Sequence, residues 1–180
     1  MNIYILRHAS AGERRANPLL DPKRPLDKEG KQHCLRLAHV LNAMKLQFDL
    51  IVSSPLKRSM QTASFVGTEM GYEAPILTST ALAPDATFPQ FQKLVHECQN
   101  GDPARENVLV VGHNPNLSAF LSAMLVKQPG PGFIRLRKGS LARVSLVRGP
   151  GMLMWLLDPR IVRSLYATST VKSLRKTSRK

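Results

Sequence analysis

The sequence predicts an α/β fold: three layers, α/β/α, around a mostly parallel central sheet with an antiparallel edge. Two observations lead there. Largely apolar runs at 3–6, 49–53 and 107–112 alternate with segments of helical periodicity, the pattern of strands buried on both faces. Near the end, segments at 141–147 and 152–157 that alternate or run apolar flank the turn-forming Arg148-Gly149-Pro150-Gly151, the pattern of a hairpin that adds the antiparallel edge.

Taken in order, Ile3 to Leu6 reads as a buried strand that delivers Arg7 and His8 at its C-terminal end. From Ala9 to Pro25 the chain is polar, carries three prolines and predicts a long loop. A helix follows over Leu26 to Met44, with Leu35, Leu37, Ala38, Leu41 and Met44 at helical spacing, Asp27 as N-cap and Gly30 in its first turns. Asp49 to Ser53 is the second strand, and Pro55 suits the start of a helix carrying Met60, Ala63, Phe65 and Val66. Pro75 to Leu77 predicts a short strand and Phe88 to Cys98 a helix. Asn107 to Gly112 is the clearest strand, followed by His113-Asn114-Pro115 and a helix over about Asn116 to Val126, which the Pro/Gly cluster at 129–132 ends. Met152, Met154 and Trp155 of the final strand are expected in the core.

A chain of 180 residues suits one domain, and 43% hydrophobic with 21% charged residues excludes general disorder. Residues 1–158 are expected as that domain and 159–180 as a basic C-terminal tail, flexible in its last part. The net charge of +14 favours anionic partners; five of the cations, Lys172, Arg175, Lys176, Arg179 and Lys180, lie in the tail. Cys34 and Cys98 stand alone in apolar stretches, which predicts buried free thiols rather than a zinc site or a disulfide. No basic leader precedes a long apolar run and no stretch has the length of a membrane span, so a cytoplasmic location is expected.

In open α/β sheets the active site lies beyond the carboxyl ends of the strands. Three such ends here supply Arg7-His8, Ser53-Ser54-Pro55-Leu56-Lys57-Arg58 and Gly112-His113-Asn114-Pro115. Guanidinium forks bind phosphate oxygens two at a time and spread the charge of a transferring phosphoryl group. A cation about 4 Å from a histidine penalises its protonation by up to about 4 kcal/mol at an effective dielectric near 20, so His8 is expected as a neutral nucleophile in the empty site. His33 and His39 lie six apart, not at the three or four of a metal pair on a helix, and with His96 they are expected only to pack or face solvent.

Leu6-Arg7-His8-Ala9 resembles the Arg-His-Gly signature of the histidine phosphatase superfamily, the phosphoglycerate-mutase-like fold. The run from Ser53 to Ala63 is similar to its second motif and Val110 to Pro115 to its third. Arg24-Pro25-Leu26-Asp27-Lys28-Glu29-Gly30 and the small size resemble, more narrowly, the SixA-type phosphohistidine phosphatases of bacteria. The resemblance spans residues 1 to 158. It implies in-line attack by His8 on phosphorus, a phosphohistidine intermediate, phosphate oxygens held by Arg7, Arg58 and His113, and release by water, with neither cofactor nor metal.

Two positions depart from the family pattern. Ala9 stands where glycine usually follows the nucleophile, which is tolerable if its φ is negative. Larger relatives supply a glutamate as general acid; here Asp85 is the candidate and Glu13 a weaker one. Imidazole leaves a phosphoramidate with less help than an alkoxide leaves an ester, so the lack of an obvious acid favours phosphohistidine as substrate. The partner is thus expected to be a phosphorylated signalling or phosphotransfer protein. Two other readings stand beside it: a phosphatase of a small metabolite or nucleotide, and a non-catalytic basic module binding nucleic acid or an acidic membrane. The last is disfavoured by 6% aromatic content and the lack of a recognition motif.

Overall fold

The computed structural model describes residues 1–14, 16–17, 19–101, 103–126, 134–147 and 150–167. Six strands form one sheet: β1 (Asn2–Arg7), β2 (Leu50–Ser53), β3 (Leu77–Thr78), β4 (Asn107–Gly112), β5 (Leu141–Ser145) and β6 (Met152–Leu157). Their order is β3-β2-β4-β1-β5-β6. The β3-β2-β4-β1 part is parallel and β5 and β6 join antiparallel, as the alternation of runs predicts.

The sheet is covered by helices α1 (Lys28–Ala43), α2 (Lys57–Glu69), α3 (Phe88–Gln99) and α4 (Asn116–Leu125). Along β1 the side chains alternate between two cores. Tyr4 and Leu6 pack with Cys34, Leu37 and Leu41 of α1 and Ala63 and Val66 of α2. Ile3 and Ile5 pack on the opposite face with Phe91 and Val95 of α3 and Leu117 and Leu121 of α4. Both faces of β1, β2 and β4 are therefore dry, which is why their interior positions carry no charge. Cys34 and Cys98 are buried free thiols, and burial pushes the Cys34 thiol up to about 12.

Some sequence expectations shift. Leu35 and Met44 lie on the outer side of α1, at 40% and 47% exposure, while His33, Cys34 and Val40 turn inward. Met152 and Met154 are 65% and 47% exposed rather than in the core, because β6 is an edge strand; Trp155 of the same strand is half-buried against Tyr4. Two single-turn 3-10 helices, Asp21–Lys23 and Thr80–Leu82, interrupt segments the sequence presents as loop. Residues 159–167, the first part of the segment expected as a tail, are helical and bury Val162 in the α1 core. The remainder of that segment, 168–180, the Pro/Gly cluster at 129–132 and the first half of the 148–151 turn lie outside the described residues. Among the described residues no helix is long and apolar enough to cross a membrane.

Candidate active site

Parallel pairing places three strand ends side by side. Arg7 of β1 is in register with Gly112 of β4, and Ser53 of β2 with Val111 of β4. The residues that follow, His8, Ser54 and His113, therefore emerge at one edge, where all three are buried. The backbone N–H of His8 donates to Gly112 and that of Ser54 to Val111, so the hydrogen-bonding continues one residue past each strand. Arg58 reaches the same place from the first turn of α2 and is 5% exposed.

The His8 and His113 rings lie 5.0 Å apart, centroid to centroid. His8 Nδ1 is 2.8 Å from the carbonyl oxygen of Ala9. A carbonyl can only accept, so Nδ1 carries the proton and Nε2 keeps its lone pair. Burial pushes the His8 pKa down to about 3; the Ala9 carbonyl opposes that, and the charges of Arg58, Arg7 and Lys138 reinforce it. His113 is pushed down to about 3 as well, by burial first and then by His8, Arg58 and Arg7. Both rings are neutral at pH 7, and both guanidiniums are close enough to bear on both of them.

Ser54 anchors His113. Its Nε2 is 2.9 Å from the Ser54 hydroxyl, which also accepts a long contact from the Leu56 N–H at 3.4 Å. A hydroxyl can donate once and accept twice, so this contact anchors the His113 ring through Nε2 in either tautomer. Nδ1 is buried and makes no hydrogen bond, and the same holds for Nε of Arg7 and Nε of Arg58. Buried polar atoms without partners are uncommon in folded proteins. Three of them sit on residues of this one site.

Each guanidinium is also tethered by its other nitrogens. Arg7 Nη1 donates to the carbonyl of Leu136 at 2.8 Å. Asn114 donates to that same carbonyl and to Ser118. Arg58 Nη1 donates to the carbonyl of Asp21 at 3.0 Å and to its carboxylate at 3.3 Å, while that carboxylate also pairs with Arg24 Nε at 2.9 Å. Thr62 ties the first and second motifs together, accepting from the Ala9 N–H and donating to the carbonyl of Arg58. Ala9 is itself buried and lies outside the left-handed region, where Lys45 is the one non-glycine among the described residues. The methyl at this position is thus accommodated without strain.

Asp85 is exposed in the loop after Leu82, a loop that Asn116 holds by donating to the carbonyls of Pro84 and Ala86. Asn116 follows His113 by three residues, so the loop is fastened beside the third motif. Glu13 is exposed in the first loop. His39 and His96 are exposed, but His33 is buried and donates from Nε2 to the carbonyl of Gly139 at 2.9 Å. The Gly139 N–H in turn reaches the carbonyls of Arg7 and His8, at 3.0 and 3.2 Å. Gly139 has φ of +81°, and a Cβ there would meet the His33 ring. His33 is thus a support of the first motif rather than simple packing. Asp21, Ser54 and Thr62 are further supports that sequence reasoning leaves without a role; Ser54 and Thr62 lie within the quoted second motif, and Asp21 is one of only 12 acids in the chain.

The sheet order and the gathering of motifs at its edge define the phosphoglycerate-mutase-like class of α/β proteins. Comparison with known proteins agrees. Residues 3–84 match the family model of the histidine phosphatase superfamily (branch 1). An uncharacterised protein of Picosynechococcus sp. is 30% identical over 148 residues, spanning 78% of this chain and 87% of its own. The phosphohistidine phosphatase SixA of Escherichia coli is 24% identical over 160 residues, spanning 88% and 94%. Among solved structures, that of the protein histidine phosphatase SixA complexed with tungstate is similar with a TM-score of 0.76 and 24% identity, covering 88% of this chain and 97% of that one. The chain belongs to the histidine phosphatase superfamily, and its fold is similar to that of SixA.

Proposed function

We propose that the protein is a phosphatase that removes the phosphoryl group from phosphohistidine in a signalling or phosphotransfer protein, with His8 as nucleophile. His8 Nε2 attacks phosphorus in line, the bond from phosphorus to the substrate imidazole breaks, and the phosphoryl group resides on His8. Water then attacks that phosphorus, phosphate leaves, and Nε2 recovers its lone pair. Arg7 and Arg58 meet the equatorial oxygens with their Nε–H groups and His113 with Nδ1–H, donors fixed in position before the reaction begins. Asp85 is the proton donor of this proposal, placed on the loop beside His113 and needed less by an imidazole leaving group than by an alkoxide.

The observation that carries the reading is the pairing of a neutral imidazole, its Nε2 lone pair free, with three buried nitrogens that lack hydrogen-bond partners, Arg7 Nε, Arg58 Nε and His113 Nδ1. It is supported by tungstate, a tetrahedral oxyanion, in the similar SixA structure. The test is phosphate release from a phosphohistidine-containing protein together with trapping of labelled phosphate on the enzyme. His8→Ala is expected to lower turnover by about a thousandfold or more, the scale lost when a nucleophile is removed, and to abolish the trapped label. Undiminished turnover, or label retained on another residue, overturns the reading.

A further inference from the structure

Beyond Arg7 the site opens into a cleft of about 550 Å3, much larger than one phosphoryl group requires. Its walls carry Arg36 of α1, Arg135, Arg137 and Lys138 of the segment before β5, and Arg160 and Arg163 of the 159–167 helix. Glu29 is the single carboxylate in the lining. Asp158 pairs with Arg137 at 3.3 Å and with Arg160 at 2.9 Å, and Arg36 leans over the Tyr166 ring. Arg135, Lys138 and Arg163 are exposed and make no ion pair among the described residues.

Three separate elements thus bring like charges into one concavity, where they repel each other until an anion joins them. Lys138 also bears on His8, so the cleft and the phosphoryl site share one field. The charge is distributed along the cleft and its exposed rim, which suits a row of separated carboxylates better than one compact anion. Guanidinium forks match carboxylates two oxygens at a time.

We propose that this cleft seats an acidic segment of the partner protein, Asp or Glu side chains flanking the phosphohistidine presented to His8. The inference rests on the phosphohistidine reading above. Its test uses the full chain and two phosphohistidine peptides of equal length, one flanked by Asp and Glu, the other by Asn and Gln. The acidic peptide is expected to have a kcat/KM at least tenfold higher, carried by KM and shrinking as salt rises. The double variant Arg135→Gln/Arg163→Gln, which changes exposed side chains only, should bring the ratio of the two peptides to within twofold of one. Equal rates on the two peptides overturn the proposal. So does a preference that survives in the double variant, since it then belongs to the net charge of the whole chain, and so does stronger competition by tripolyphosphate than by the acidic peptide, which marks a site for compact polyanions. Fluorescence anisotropy of the unphosphorylated acidic peptide on His8→Ala protein, with and without the arginine substitutions, reads the cleft independently of turnover. If neither phosphopeptide is hydrolysed, the phosphohistidine reading fails, while loss of anisotropy on Arg135→Gln/Arg163→Gln still decides whether the cleft binds acids.

Discussion

Ser54 shows how much of the site depends on residues that never touch the substrate. Its hydroxyl accepts from the Leu56 N–H and is the hydrogen-bond partner of His113 Nε2, so it holds the His113 ring in place. Without the hydroxyl, the buried His113 ring loses that hydrogen bond and, in the proposed mechanism, its fixed orientation toward the phosphoryl oxygens. Ser54→Ala is therefore expected to lower kcat about 10- to 100-fold, the scale found when an orienting partner of a functional histidine is lost. KM should change little, because Arg7 and Arg58 still bind the anion. Leaving His113 Nε2 unpaired costs about 1–3 kcal/mol of stability, which urea unfolding measures independently of kinetics. Equal kcat for the variant and the parent would mean that His113 is oriented by something other than Ser54.

The start of α1 is the element on which the first motif leans. Asp27 caps the helix through the Gly30 N–H, and the same carboxylate accepts from the Ser10 hydroxyl and the Gly12 N–H just after His8. The helix presses so closely there that a Cβ on Gly30 would collide with the Ser10 carbonyl oxygen. In an open helix Gly→Ala gains about 1 kcal/mol; here Gly30→Ala is expected to have the opposite sign, lowering the melting temperature and displacing the loop that begins at His8, so that activity falls as well. A rise in melting temperature would show that the helix start can move freely. The Asp27 cap is legible in the sequence, and so are the four residues His8, Arg7, Arg58 and His113, because buried parallel strands are written as apolar runs that end abruptly at a polar residue. The supports are illegible for a physical reason: Arg58 meets Asp21 across 37 positions and His33 meets Gly139 across 106, links that exist only once the sheet has assembled. The burial of Met152 and Met154 is misread because an apolar run does not say whether its strand is central or at the edge.

At the scale of the whole molecule, the fold gathers cations and neutral imidazoles at one sheet edge, and folding must hold those imidazoles unprotonated. In the unfolded chain His8 and His113 titrate near their ordinary value of 6.5, whereas in the folded protein both are pushed down to about 3. Between those values the unfolded chain binds protons that the folded protein refuses, so stability is lost as the pH falls. Each histidine contributes up to about 1.4 kcal/mol of loss per pH unit below about 6.5 and nothing above it. His33, also lowered by burial, adds in the same direction. Asp27 and Asp158 are held below their ordinary 3.8, so their stabilisation is lost only at lower pH still. The urea midpoint is therefore expected to be flat from about pH 8 to 7 and to fall from about pH 6.5 to 4.5, a window that isolates the histidines. Saturating phosphate or tungstate should make that fall shallower, because an anion between the rings favours their charged forms and offsets the guanidinium charges. A midpoint that stays constant down to about pH 4.5 would show that the two imidazoles accept protons in the folded protein as readily as in water, and the neutral nucleophile would go with it.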